Sequence, residues 1–127
     1  MRAAVLNEQP GMLHIEAIGV DKPAPNEVLV RVVGAGLCHS DLHFMEGTFR
    51  TPMPAVMGHE SAGIVEAVGS DVTYCRPGDH VVCCLSIFCG RCRQCLSGHP
   101  HRCANPEATS RPPNAAPRLR KADGTAV

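Results

Sequence analysis

Apolar side chains in this chain recur in short β-branched or alternating runs: Arg2 to Leu6, Leu13 to Ile18, Val28 to Val33, Gly63 to Val68 and His80 to Cys83. A side-chain period of two marks a strand with one face turned inward, and runs this short fit strands better than helices. Turn formers bound each run, as in Asn7-Glu8-Gln9-Pro10-Gly11, Pro23-Ala24-Pro25-Asn26 and Pro77-Gly78-Asp79. Proline lacks the amide that a ladder needs and glycine reaches backbone angles closed to other residues, so such clusters end strands. Helical punctuation shows at Ser40 to Glu46, with Ser40 as candidate N-cap and Gly47 as the stop. Short strands joined by turns, without long intervening helices, predict a mainly β fold, a small barrel or sandwich, over a doubly wound α/β sheet. From Asn105 onward the periodicity lapses at Pro106, Pro112, Pro113 and Pro117, and the remaining local signal is a hairpin turn at Asp123-Gly124.

Composition narrows the function. The 127 residues give room for one domain with a modest core, and with no Trp and 12 Gly and 11 Pro that core needs help, which a bound metal supplies. A formal net charge of zero, with acids and bases mixed along the chain, leaves no electrostatic footprint for nucleic acid or an anionic membrane. No run of eighteen apolar residues is present, so a membrane helix is not expected. The opening Met-Arg-Ala-Ala-Val-Leu-Asn-Glu lacks the apolar core of a secretory signal, so the expected setting is the reducing cytoplasm. In that setting eight cysteines point to metal, whereas a disulfide framework belongs to secreted chains.

Four of these cysteines, Cys89, Cys92, Cys95 and Cys103, form a ladder C-x-x-C-x-x-C-x7-C. Zinc held by four thiolates needs sulfurs at about 2.3 Å in a tetrahedron. A straight helix would spread the outer two of the first three over about 9 Å, so the backbone must curl around the ion. Gly90 and Gly98 permit the bend, and Arg91, Arg93 and Arg102 lie where they would offset surplus thiolate charge. His99 and His101 stand inside the long gap as alternatives to Cys103 in a Cys₃His set.

Two further stretches carry ligand-type side chains, Gly36-Leu-Cys38-His-Ser40-Asp-Leu-His43 and Gly58-His59-Glu60-Ser-Ala-Gly63-Ile-Val-Glu-Ala-Val-Gly69, the second fitting G-H-E-x-x-G-x5-G. In this order, and followed by the ladder, they resemble the zinc-containing medium-chain alcohol dehydrogenases over about residues 2 to 110. The likeness is to their amino-terminal, GroES-like catalytic domain. It implies a mainly β, partly open GroES-like barrel with short helices, occupying 1–108, with a zinc-binding lobe at about 84–104 and a Pro-rich, truncated continuation at 109–127.

The resemblance also implies roles. Cys89, Cys92, Cys95 and Cys103 would hold a structural zinc, and Cys38 and His59 would be ligands of a catalytic zinc. Ser40 and His43 would relay the alcohol's proton, and His39 would face the pyrophosphate of NAD or NADP. Asp41 and Glu60 would be carboxylates orienting the ligands, with Glu60 also able to approach the metal. The implied reaction takes a small-molecule alcohol to an aldehyde or ketone by hydride transfer. Thiol-conjugated formaldehyde or polyols are alternative substrates, and a non-catalytic zinc-binding remnant is the alternative of another class. Relatives of this kind continue for about two hundred residues more, with a third cysteine ligand and a nicotinamide-binding Rossmann domain, and a full-length form is expected to be a homo-oligomer. Neither feature falls within these 127 residues, so the isolated chain is expected to be inactive. Gly34-Ala-Gly36 looks like the start of a dinucleotide fingerprint but lacks the third glycine and reads as a strand end.

Overall fold

The computed structural model describes residues 1–105 and 117–127; the prolines at 106, 112 and 113 lie outside them. The chain is mainly β and divides into two compact units, one formed by Met1–Cys83 with Pro117–Val127 and the other beginning at Cys84.

The first unit holds seven short strands and one helix. They are β1 (Arg2–Leu6), β2 (Leu13–Val20), β3 (Val28–Gly36), α1 (His39–Glu46), β4 (Ala55–Val56), β5 (Glu60–Val68), β6 (His80–Val82) and β7 (Leu119–Lys121). Two antiparallel sheets result, in the orders β4-β1-β2-β7 and β3-β5-β6. Val5 and Leu6 are neighbours on β1 and both are fully buried. Successive strand residues point to opposite faces, so β1 is covered on both. With Ile18 and Val65 they complete the buried apolar set among the described residues, a small core.

The alternating runs thus locate β1, β2, β3, β5 and β6. Three differences have physical causes. The N-cap of α1 is Cys38, two residues before the predicted Ser40, because Asp41 at the third helical position accepts a hydrogen bond from the Cys38 backbone N–H at 3.2 Å. Gly47 ends the helix as expected, in the left-handed conformation at φ 78°. The two-residue β4 is too short to show a period. Strand β7, which periodicity does not reveal, is held by pairing to Ile18–Val20 and by Lys121, whose ammonium donates to Asn7 Oδ1 at 2.5 Å and lies 3.0 Å from the Glu16 carboxylate. The hairpin at Asp123-Gly124 closes behind it: Thr125 N–H donates to the Asp123 carboxylate at 2.9 Å and Gly124 N–H to the Lys121 carbonyl at 3.0 Å.

The turn after β1 secures the end of α1. Gln9 Nε2 donates to the carbonyls of Phe44 at 2.7 Å and Phe49 at 2.8 Å, and Gly11 N–H donates to Met45 O at 2.8 Å. The bonds to Phe44 and Met45 engage carbonyls of the last turn of α1, which a helix end leaves without intrahelical partners, and the bond to Phe49 ties down the segment just past it.

Gly69, just past β5, lies against the loop before β3. Its N–H donates to Glu27 O at 2.9 Å, and a Cβ there would run into the carbonyl oxygens of Ala24 and Pro25. Gly69→Ala is therefore expected to destabilise the chain by about 1–3 kcal/mol through forced backbone displacement. Gly34, with open space around its Cβ direction, should tolerate alanine within about 0.5 kcal/mol. Urea denaturation midpoints of the two variants would check the contrast; equal midpoints would refute it.

Candidate metal centres

The first centre is built around one carboxylate. Asp41 is the buried charged residue among the described residues, 7% exposed. Its Oδ2 accepts the Cys38 backbone N–H at 3.2 Å, its Oδ1 accepts the Gly58 N–H at 3.3 Å, and the same Oδ1 lies 3.6 Å from Nδ1 of His59. A buried carboxylate is costly unless its lone pairs are used, and here three groups from two segments use them. The contact on Nδ1 leaves Nε2 of His59 as the free ligand nitrogen.

Cys38, His59 and Glu60 come together, each offering one ligand atom, all within 4.8 Å of one another. Cys38 precedes α1, while Glu60 opens β5 directly opposite Gly36 in the β3–β5 pairing. Gly36 matters spatially: a Cβ there would collide with the Glu60 carboxylate oxygen and press on its Cβ at 3.1 Å. A strand-end glycine is what the sequence shows at this position; that it makes room for Glu60 becomes visible only with the strands paired.

Ser40 Oγ lies 3.5 Å from Cys38 Sγ. One turn further on, His43 places Nε2 at 3.3 Å from Nδ1 of His39, while its own Nδ1 lies 3.7 Å from the Glu46 carboxylate. Phe49 packs against the His43 ring at a centroid distance of 5.0 Å and its N–H donates to His43 O at 3.2 Å. Gln9, which holds the end of this helix, sits in a turn cluster and gave no chemical signal in the sequence.

The second centre lies within the unit that begins at Cys84. A single helical turn, α2 (Arg93–Leu96), carries Cys95, and a short 3₁₀ turn at Pro100–Arg102 delivers Cys103. The ladder therefore contains one turn of helix, with the bend at Gly90 and Gly98, at φ 71° and 82°. The structure gathers Cys89, Cys92, Cys95 and Cys103 into one half-buried group; His99 and His101 are outside it. Their sulfurs stand 3.4 Å (Cys92 to Cys95), 3.9 Å (Cys89 to Cys95) and 4.0 Å (Cys92 to Cys103) apart. Zinc–sulfur bonds of about 2.3 Å in a tetrahedron require about 3.8 Å between sulfurs, so the group fits that ion and leaves no open position.

Backbone amides prepare these sulfurs. Cys92 N–H donates to Cys89 Sγ at 3.3 Å and Cys89 N–H to Cys103 Sγ at 3.4 Å. The amide of Arg91, first among several contacts, lowers the Cys89 thiol, and that of Ala104 leads in bringing Cys92 down to about 6. Desolvation, then the neighbouring Cys92, pushes Cys95 up to about 11. Main-chain N–H groups, rather than the guanidinium of Arg91, thus favour thiolate at Cys89. The set of Cys38, His59 and Glu60 is of a different kind, three mixed donors rather than four thiolates.

Comparison with known proteins matches these features. The alcohol dehydrogenase GroES-like domain model covers residues 24–119. The NDMA-dependent alcohol dehydrogenase of Amycolatopsis methanolica is 45% identical over 102 residues, which is 80% of this chain and 28% of that protein. The geraniol dehydrogenase of Castellaniella defragrans is also 45% identical over 102 residues, 80% of this chain and 27% of its own. Among solved structures, an alcohol dehydrogenase zinc-binding domain protein from Burkholderia ambifaria superposes with a TM-score of 0.82 at 36% identity, over 99% of this chain and 35% of that one. The chain spans about a quarter of the length of the curated relatives it matches. With its partly open β fold, its cysteine cluster and this domain match over most of its length, the chain belongs to the alcohol dehydrogenase GroES-like domain family.

Proposed function

We propose that this chain forms the alcohol-handling part of a zinc-dependent alcohol dehydrogenase, an oxidoreductase that takes a small alcohol to its aldehyde or ketone with hydride passing to NAD or NADP. The observation that supports it most is the convergence of Cys38, His59 and Glu60 within 4.8 Å, with the Ser40 hydroxyl 3.5 Å from the Cys38 sulfur. Zinc bound by such a set supplies Lewis acidity that makes an alcohol hydroxyl easier to deprotonate.

The chain's own residues then manage the proton and the orientation. Ser40 takes a proton from the substrate hydroxyl while passing its own to His43, whose exposed neighbour His39 leads to solvent. Asp41 fixes the tautomer of His59 and the backbone that carries Cys38. His39 opens α1, where free N–H groups and the helix dipole favour an anion, and there it would meet the cofactor's phosphates. The four-cysteine group, already closed, would clamp a structural zinc and take no part in the chemistry. The hydride acceptor's site is assigned to the portion of the relatives that this chain does not span, so the 127 residues alone are proposed to be inactive. Homo-oligomers are proposed for a full-length form.

Native mass spectrometry with a turnover assay tests this reading. Two zinc ions per chain are expected; Cys92→Ser should remove one and the pair Cys38→Ser, His59→Ala the other, with no alcohol-dependent reduction of NAD or NADP by the chain alone. A single ion indifferent to Cys38 and His59 would overturn the reading in favour of a zinc-binding remnant.

Asp41→Ala and Gly36→Ala should each weaken zinc at the Cys38 site by about 10–100-fold, the range typical for groups that orient ligands, while leaving the cysteine group untouched. Competition against a chromophoric chelator would measure it, and unchanged affinity in both variants would refute the positioning roles.

Protons compete with metal for the thiols. Cys92, lowered to about 6, is already thiolate at neutral pH, whereas Cys95, raised to about 11, must lose its proton on binding. Zinc affinity of the cysteine group should therefore fall as pH falls, and more steeply below about 6 where Cys92 takes up a proton. The same competition titration run from pH 8 to 5 would show this; a flat profile would contradict it.

A further inference from the structure

His39 and His43 stand at i and i+4 on α1, on the same helix face. Their nearest ring nitrogens, Nδ1 of His39 and Nε2 of His43, are 3.3 Å apart. Two imidazole nitrogens bound to one ion at about 2.0–2.1 Å with a tetrahedral angle are about 3.4 Å apart, so the observed separation is already that of a chelating pair. Imidazoles four residues apart on a helix are a recurrent way of presenting two nitrogens to one cation.

Glu46 completes the arrangement. Its carboxylate lies 3.7 Å from Nδ1 of His43, a nitrogen that is buried and has no hydrogen-bond partner. A carboxylate facing Nδ1 favours the tautomer with the proton there, leaving the Nε2 lone pair directed toward His39, the way a ligating histidine is held. His39 is exposed, so the pair is reachable from solvent.

We propose that His39 and His43 form a further site for an imidazole-seeking divalent cation such as Zn²⁺, Ni²⁺ or Cu²⁺, using none of the ligands of the two centres above. The cation is bound by two nitrogens and completes its shell with water. Resting on the relay reading of His43, the consequence is inhibition: a cation there occupies the lone pair that would take the proton, so zinc in excess of the two resident ions opposes the reaction.

The site is tested directly with Ni²⁺, without reference to activity. The zinc-loaded chain, titrated by isothermal calorimetry, should bind one Ni²⁺, with affinity lowered at least tenfold in His39→Gln and again in His43→Gln, and several-fold in Glu46→Gln. His14→Gln and His101→Gln should leave it unchanged. Circular dichroism and a retained zinc count would establish that the variants are folded. Equal Ni²⁺ binding by wild type and the His39→Gln, His43→Gln double variant would overturn the site, as would loss of binding in His101→Gln alone. Because the readout is Ni²⁺ binding, failure of the relay reading would show separately, as a site that binds but does not inhibit a longer active form.

Discussion

The convergence of Cys38 and His59 hangs on the Asp41 carboxylate. Its two oxygens tie the backbone before α1 to the backbone before β5 and at the same time face the ring of His59. A buried carboxylate this well supplied with donors is a rigid point, because moving any one segment leaves a charged oxygen without its partner. Cys38 and His59 are twenty-one positions apart in sequence, yet their relative placement is set by a third side chain, Asp41. The choice of residue type follows. Asparagine would keep the size but present one acceptor oxygen where the site uses two.

The sequence made β1, β2, β3, β5 and β6 legible through alternating or β-branched runs between turn formers, and the ladder spacing made the cysteine group legible because all its ligands lie in one short segment. It was silent on β4 and β7, whose existence depends on partners far away in the chain: two residues of β4 against Val5 and Leu6, and three of β7 against the end of β2. The cap of α1 was misplaced for a related reason. Ser40 is the better capping residue by type, but the hydrogen bond that decides the start is donated by the Cys38 N–H to the Asp41 carboxylate. Gln9 and Gly36 carried no chemical signal, since one acts through main-chain carbonyls and the other through the side chain it lacks.

Apolar side chains on β3 show a limit of pattern reading. Val32 and Val33 are adjacent and β-branched, which predicts burial on both faces of a strand, yet they are 54% and 70% exposed. Strand β3 is an edge of its three-stranded sheet, so the hydrophobic run records strand propensity there rather than a filled core. A core of few buried side chains among the described residues would make any bound metal a larger share of stability than in a well-filled domain.

The two centres differ in how much of the fold they require, and this difference follows from their chemistry. A closed four-thiolate group needs only that its own segment curl, and the amides of Arg91, Cys92 and Ala104 aim at its sulfurs from within that segment. An open, mixed-donor set needs a gap for substrate, and a gap cannot be kept by residues that collapse onto one another locally. The proposed set of Cys38, His59 and Glu60 depends on register instead. Glu60 pairs with Gly36 across β3 and β5; the register slips between Leu29 and Val30 and slips back between Val32 and Gly34, so this pairing stands in the same frame as Val28 with Val68. A slip of one residue would turn Glu60 to the other face of the sheet and replace Gly36 by a residue with a Cβ at the point of closest approach. One extra residue sits in each strand, Glu66 in β5 and Val33 in β3, and the second restores the frame in which Glu60 meets Gly36.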